Sequence, residues 1–275
     1  MGSRILRFNW TILHQEILGG KIVFYDCDPH FHDTYTIGLL RKGRVRLTCD
    51  DQVFMAEPGD IFLVHPYEVH GGGNTCEPAE CDILYPTMDL MAEATGVALY
   101  NGNYPYFASP LFKKSKSTAH LFKCIDRASA MPSVFLPETG ICEVLRDVFG
   151  PYVQGTRRLK LMGGERPSVY MAFEAMLQQF ESMRGAADIT EQLGVSPYHF
   201  SRIFHKAVGV PPSVFLRQLR VAKARALITN GEALADVAVD AGFFDQAHMT
   251  REFKSVFGFP PGTLARKVRE TRLQA

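Results

Sequence analysis

No apolar run in these 275 residues approaches the roughly 18 that a membrane span requires. The chain opens Met-Gly-Ser-Arg and reaches Trp10 without the apolar core of a secretory signal. Paired cysteines are missing too. All six (Cys27, Cys49, Cys76, Cys81, Cys124, Cys142) precede residue 143, with no C-x-x-C and none of the density of a disulfide scaffold, so they read as reduced, packing thiols. There is no nucleophile–base–oxyanion constellation and no glycine loop able to cradle a phosphate. The expectation is a soluble, cytoplasmic protein that is not an enzyme and has no membrane partner.

Net charge is almost absent as well, with 30 Lys and Arg against 29 Asp and Glu, which argues neither for nor against a nucleic-acid partner. The average hides an asymmetry. From Ser196 to Ala275 there are 12 basic against 6 acidic residues, leaving 18 basic and 23 acidic in the rest. A basic end on an acidic chain suggests a polyanion for that end only. The length fits two domains of ordinary size.

Between Lys21 and Pro86 the sequence runs in short β-rich segments (KIVFYDC, TYTIGLLRKG, RVRLTCDDQ, VFMAEPGD, IFLVHP, CDILYP) broken by turn residues, as in a small antiparallel barrel or sandwich. Arg41-Lys42-Gly43-Arg44 and Glu57-Pro58-Gly59-Asp60 read as hairpin turns. Past Pro86 the period becomes helical over 117–130 and 139–153. The second stripe (Ile141, Val144, Leu145, Val148, Phe149) suits either a dimerisation helix or one packed on its own barrel. Gln154 to Pro167 is Gly-rich and basic and reads as a linker. Beyond it seven segments are helix-compatible: Tyr170–Met183, Ala186–Leu193, Pro197–Val208, Pro212–Ile228, Leu234–Ala241, Gln246–Phe257 and Pro261–Glu270.

An internal repeat carries the argument. Ser196-Pro197-Tyr198-His199-Phe200-Ser201-Arg202-Ile203-Phe204 lies over Asp245-Gln246-Ala247-His248-Met249-Thr250-Arg251-Glu252-Phe253 at an offset of 49 residues, and Gly209, Pro211 and Pro212 continue over Gly258, Pro260 and Pro261. Each copy opens on an N-cap, Ser196 or Asp245, and closes on a glycine followed by prolines. Upstream of each is a short helix ending at Gly194 or Gly242. A short helix, a Gly-containing turn and a second capped helix make a helix-turn-helix. The copies differ by one residue in the turn, Gly242-Phe243-Phe244 against Gly194-Val195.

In each second helix Phe200, Ile203, Phe204 and Ala207, or Met249, Phe253, Val256 and Phe257, form the core stripe. Tyr198, Ser201 and Arg202, with Ala247, Thr250 and Arg251, stand on another face, where Arg forks onto guanine and small apolar groups touch thymine methyls. Phosphate contact, or pairing of the arginines with acids such as Glu252, is the alternative. His199 and His248, in the first helical turn, suit backbone phosphate or packing. Pro212–Ile228, a rod of roughly 25 Å at about 1.5 Å per residue, joins the units and carries Arg217, Arg220, Lys223 and Arg225 as phosphate-contact candidates.

Through GVSPYHFSRIFHKAVGVPPSVFLRQLRVAKARALI and ALADVAVDAGFFDQAHMTREFKSVFGFPPGTLAR the chain resembles the AraC/XylS family of bacterial transcription regulators over roughly residues 166–270. The resemblance implies that Tyr198, Ser201, Arg202, Gln246, Ala247, His248 and Arg251 face double-stranded DNA. It departs from the family at Thr190, where a small Ala is usual, and at Ala247, a poor hydrogen-bonding residue for a reading position. His30-Phe31-His32, Gly43, Pro58-Gly59-Asp60, Pro66 and His70 resemble the cupin-type sensor of that family, implying a small-molecule effector and often a homodimer.

The fold class expected is α+β, with a cupin-like antiparallel β-barrel and flanking helices over 1–164, binding effector or dimerising, and an all-α double helix-turn-helix domain over 165–275. His32, Tyr35, Arg46 and His70 are the expected effector contacts, with Tyr25, Phe62 and Tyr85 as apolar walls. His30, His32 and His70 have the His-x-His and distant-His pattern of metal cupins, but the Glu usual a few residues later is missing, so no metal and no cofactor are assigned. The function read is a sequence-specific DNA-binding regulator acting on RNA polymerase, as an activator or by blocking it. A metal cupin enzyme fused to a DNA-binding domain, and a barrel that only dimerises, are the competing readings.

Overall fold

The computed structural model describes residues 5–14, 17–24, 26–49, 52–73, 77–99, 103–130, 138–158, 167–183 and 185–272. Residues 1–159 form one compact unit and residues 160–270 another. No helix among the described residues is long and apolar enough to cross a membrane.

The first unit contains β1 (Ile5–His14), β2 (Ile17–Phe24), β3 (Asp26–His30), β4 (Thr36–Lys42), β5 (Val45–Cys49), β6 (Gln52–Ala56), β7 (Ile61–Val64), β8 (His70–Gly73), β9 (Ala79–Pro86), α1 (Met88–Thr95), β10 (Asn103–Phe107), β11 (Leu111–Phe112), α2 (Lys116–Ala130), α3 (Glu138–Phe149) and β12 (Val153–Arg158). One sheet has the order β1-β2-β9-β4-β7-β11 and a second the order β3-β8-β5-β6, while β10 pairs with β12. Five of these elements, β1, β8, α1, β10 and β11, lie outside the segments that the sequence pattern marks.

The two expected hairpins are corrected. The strand β4 pairs with β7 and β9, whereas β5 pairs with β6 and β8, so the Gly43 turn (φ 77°) carries the chain from one sheet to the other and the Gly59 turn (φ 95°) carries it back. Alternation of side chains continues through either kind of turn, so the pattern alone does not distinguish pairing from crossing. Asp60 organises the second crossing. Its carboxylate accepts from Glu57 N (3.0 Å), Lys114 N (3.0 Å) and Lys113 Nζ (2.8 Å). Burial opposes its charge, but the Lys113 ammonium and the two amides outweigh that and hold its pKa below the ordinary value.

The strands β4, β7 and β9 of the six-stranded sheet are buried on both faces. One face, with Ile17, Tyr35, Ile37, Leu39, Ile61, Leu63 and Leu84, shares a core with α1, α2 and α3. The other carries Gly38, Leu40, Phe62, Ile83 and Tyr85; the Phe62 ring lies over Gly38, where an added Cβ would stand 1.9 Å from it. Ile141, Val144, Leu145, Val148 and Phe149 of α3 all belong to the shared core, so of the two readings of that stripe the packed one is correct. Arg41 fastens α2 to the sheet: its Nε donates to Asp82 (2.6 Å), its Nη2 to Asp126 (2.8 Å), and its guanidinium lies over the Phe122 ring (4.6 Å). The stretch from Gln154, expected as linker, begins as strand instead. Val153–Arg158 pairs with the largely buried β10 while its own Gln154, Gly155 and Thr156 stay exposed, which suits their polar composition, and residues 159–166 fall outside the described set.

The second unit is all helical: α4 (Pro167–Gln179), α5 (Ala186–Leu193), α6 (Pro197–Val208), α7 (Pro212–Thr229), α8 (Leu234–Asp240), α9 (Gln246–Phe257) and α10 (Pro261–Arg272). The caps are those the sequence calls for. Ser196 Oγ accepts from His199 N (3.2 Å) and Asp245 Oδ1 from His248 N (2.6 Å), while Gly209 (φ 87°) and Gly258 (φ 77°) close the helices in left-handed conformation. The joining helix α7 packs against α5, α6, α8 and α9.

Arg41→Ala is expected to destabilise the first unit by about 3 kcal/mol, because Asp82 (side chain 2% exposed) loses its counter-charge, whereas Asp126→Ala costs under about 1 kcal/mol. Urea unfolding of the full chain checks the difference; equal losses would remove the buried ion pair from the account.

Candidate functional site

In the first unit β3 and β8 set His30 directly opposite His70, and the chain leaving β3 brings in His32. The ring centroids lie 4.4 Å (His30–His70), 4.8 Å (His30–His32) and 5.4 Å (His32–His70) apart, and one nitrogen from each ring falls within 4.8 Å of the others. His32 and His70 are buried and His30 is half-buried. A main-chain carbonyl only accepts, so Nδ1 of His30 donates to Asp28 O (2.7 Å) and Nδ1 of His70 to Glu68 O (3.0 Å), which leaves Nε2 as the lone-pair atom of each ring in its neutral form. Burial together with the neighbouring His30 pushes the pKa of His70 down to about 3, so His70 is neutral near pH 7. Burial also disfavours charge on His30, but Cys27, with Sγ 3.6 Å from Nδ1, and Asp28 outweigh it and raise its pKa.

The four expected effector contacts are not brought together. Tyr35 belongs to the helix-facing side of the large sheet, where its hydroxyl donates to Pro105 O (2.5 Å), committed to the core. Arg46 alternates outward on β5 between buried Val45 and Leu47, and is exposed. His32 and His70 remain, with Tyr85 as a wall, its ring 4.7 Å from that of His32. Phe62 is buried on the same sheet face as Tyr85, and Tyr25 lies outside the described residues.

In the second unit α6 and α9 occupy corresponding places. Phe200, Phe204, Met249, Phe253 and Phe257 are buried, while Tyr198 (81% exposed), Arg202, Gln246, Ala247 and Arg251 are exposed and His199, Ser201, His248 and Thr250 half-buried. Glu252 is engaged by Arg217 (3.6 Å) and faces His248 (3.8 Å); neither Arg202 nor Arg251 has an ion pair among the described residues. The alternative in which Glu252 neutralises a reading arginine is thereby removed. Thr190 is accommodated, its hydroxyl donating to Ala187 O (2.9 Å).

On α7 the phosphate-contact set divides. Arg217 is exposed and Lys223 half-buried, but Arg220 and Arg225 are buried. Arg220 donates to the carbonyls of Phe180 (3.2 Å) and Met183, a structural tie.

Comparison with known proteins agrees with this geometry. Residues 24–150 match the AraC-like ligand binding domain and residues 189–267 the helix-turn-helix domain of the same kind of regulator. The transcriptional activator RhaS of Escherichia coli is 33% identical over 247 residues, 86% of each chain. The chain belongs to the AraC/XylS family of transcription regulators. The regulator YbfI of Bacillus subtilis is 29% identical over 244 residues, again 86% of each chain. Among solved structures, wild-type ToxT of Vibrio cholerae with unsaturated fatty acid bound shares the fold at a TM-score of 0.51 and 13% identity, covering 92% of this chain and 96% of that one.

As an AraC-family member the protein is a DNA-binding transcription regulator with an N-terminal ligand-binding unit. Three imidazoles with Nε2 lone pairs on two of them fit an ion of borderline softness. Among the described residues no carboxylate joins them. The sequence pattern marks these histidines but not the carbonyls of Asp28 and Glu68 that set their tautomers. It also passes over Phe244, which is 92% exposed at the second turn.

The two turns differ in tolerance. Gly194 (φ 62°) has open space where a Cβ would stand, whereas a Cβ on Gly242 (φ 79°) would lie 2.5 Å from Glu181 O. Gly194→Ala is expected to cost about 1–2 kcal/mol for left-handed backbone alone, and Gly242→Ala clearly more, with DNA affinity falling alongside. Thermal melts of both variants check this; a milder Gly242→Ala would refute the close packing.

Proposed function

We propose that this AraC-family regulator reads two blocks of one operator through Tyr198, His199, Ser201 and Arg202 on α6 and Gln246, Ala247, His248, Thr250 and Arg251 on α9. The observation that carries the reading is the pair of capped helices with exposed Arg202 and Arg251, neither held by an acid. With α7 about 27 Å long at 1.5 Å per residue, both helices would enter successive major-groove turns roughly 34 Å apart. An effector beside His32 and His70 shifts the population able to do so, and the bound protein acts on RNA polymerase, as an activator if it behaves as RhaS is named. Effector control, and not catalysis, is supported by the match to a ligand-binding family and by relatives that are regulators. Homodimerisation is compatible with this scheme, but the stripe of α3 is spent in the core.

Selection of sites from random duplex DNA at a stated salt concentration is expected to enrich two blocks one helical turn apart. Arg202→Ala and Arg251→Ala should each cost about 1–3 kcal/mol on that site and relax preference at one position. Equal losses on random duplex would demote them to phosphate contacts.

One observation favours a second reading of the barrel, the convergence of His30, His32 and His70. They would hold a divalent transition ion, which would supply a positive charge able to anchor an anionic effector. Cobalt(II) should then give visible absorption and, like zinc, raise the melting temperature by mass action, both abolished in His70→Gln. Unchanged spectra and melts would leave the histidines as effector contacts alone.

A further inference from the structure

The turns of the two helix-turn-helix units differ by one residue, and main-chain hydrogen bonds identify which one. In the first, Gly194 N donates to Glu191 O (3.3 Å) and Val195 N to Thr190 O (3.1 Å); in the second, Gly242 N donates to Val239 O (2.9 Å) and Phe243 N to Ala238 O (2.8 Å). Phe243 therefore holds the place of Val195. After Val195 the N-cap Ser196 follows directly, whereas Phe244 stands between Phe243 and the N-cap Asp245. The inserted residue is an aromatic one, 92% exposed, while Phe243 beside it is buried with its ring edge-on to His248 at 5.4 Å.

The position gives that exposure a meaning. Phe244 adjoins the N-terminal end of α9, the end by which a recognition helix reaches base edges. Its neighbours on that end, Gln246 and Ala247, are exposed as well. The corresponding end of α6 presents Tyr198, Ser201 and Arg202; α9 repeats the last two as Thr250 and Arg251 and adds Gln246, but where α6 has the Tyr198 ring it carries the methyl group of Ala247, with the phenyl ring of Phe244 just before the helix. Apolar groups in a major groove have one partner of their own kind, the C5-methyl of thymine. A ring in solvent contributes nothing to the free unit, so its apolar area is available to be buried on binding.

We infer that Phe244 is a base-reading residue which, with Ala247, packs against thymine methyl groups in the half-site under α9. This accounts for Ala247, which has no hydrogen bond to offer at a reading position, and for the extra residue that sets the second turn apart. The inference rests on the reading of α9 as a recognition helix.

The test uses the selected operator and the full-length protein at fixed salt. Thymines in the α9 half-site are replaced singly by deoxyuridine, which removes only the methyl. Wild type should lose about four-fold in affinity at one or two positions, the worth of one buried methyl-sized group. Phe244→Ala should bind the thymine operator at least as weakly as wild type binds the substituted one, no longer distinguish the two, and keep its affinity for random duplex and its melting temperature. Phe244→Leu should recover part of the discrimination. Indifference of wild type to every deoxyuridine, or full sensitivity retained by Phe244→Ala, would overturn the inference. So would a Phe244→Ala protein that binds as wild type yet fails to regulate transcription from the operator, for then the ring meets polymerase. No sequence preference in wild type would instead overturn the reading of α9, and the role of the ring with it.

Discussion

The buried guanidinium of Arg220 ties the end of α4 to the middle of α7, donating to the carbonyls of Phe180 and Met183 just past the last turn of α4. Carbonyls beyond a helix end are not satisfied by that helix, and an arginine is long and planar enough to reach two of them at once. The same guanidinium crowds Gly242, so the second turn is fitted to this joint as well. Because α7 packs against α5, α6, α8 and α9, both α6 and α9 are seated on one helix. An arginine that the sequence pattern marks as a phosphate contact is instead buried and joins two helices.

The first unit obeys a different constraint. A sheet whose central strands are buried on both faces separates what lies on its two sides. Tyr35 goes to the helices and Tyr85 to the histidines, although both are aromatic residues of neighbouring chain segments. The histidine cluster exists because a β3–β8 register places His30 against His70, and because β8 is a His followed by three glycines that lets the neighbouring strands approach closely. Cβ atoms on Gly71 and Gly72 would stand 3.2 Å from the carbonyl oxygens of Cys27 and Arg46.

The double helix-turn-helix was legible because its signals are local. A cap, a helical stripe, a left-handed glycine and a proline each act within about one turn of the residue that carries them, and the repeat states them twice. Six of the seven C-terminal helices begin where those signals place them, and the seventh begins three residues earlier, at Pro167. The barrel site was legible only in part. Spacing marks His32 and His70, but for Arg46 and Tyr35 the sequence offers only alternation, which gives a face without saying which face looks where.

What the sequence determined by itself is the order of elements in the second unit, the caps and bounds of α6 and α9, and the β-rich character of the first. Only the tertiary structure decided that Gly43 and Gly59 cross between sheets, that α3 spends its apolar stripe in its own core, that Arg220 is a joint, and that three histidines meet. The reason is one of range. Caps and periodicity are fixed by neighbours a few residues away, whereas sheet partners, face assignments and buried ion pairs depend on residues tens of positions apart, whose pairing appears only when the chain has closed on itself.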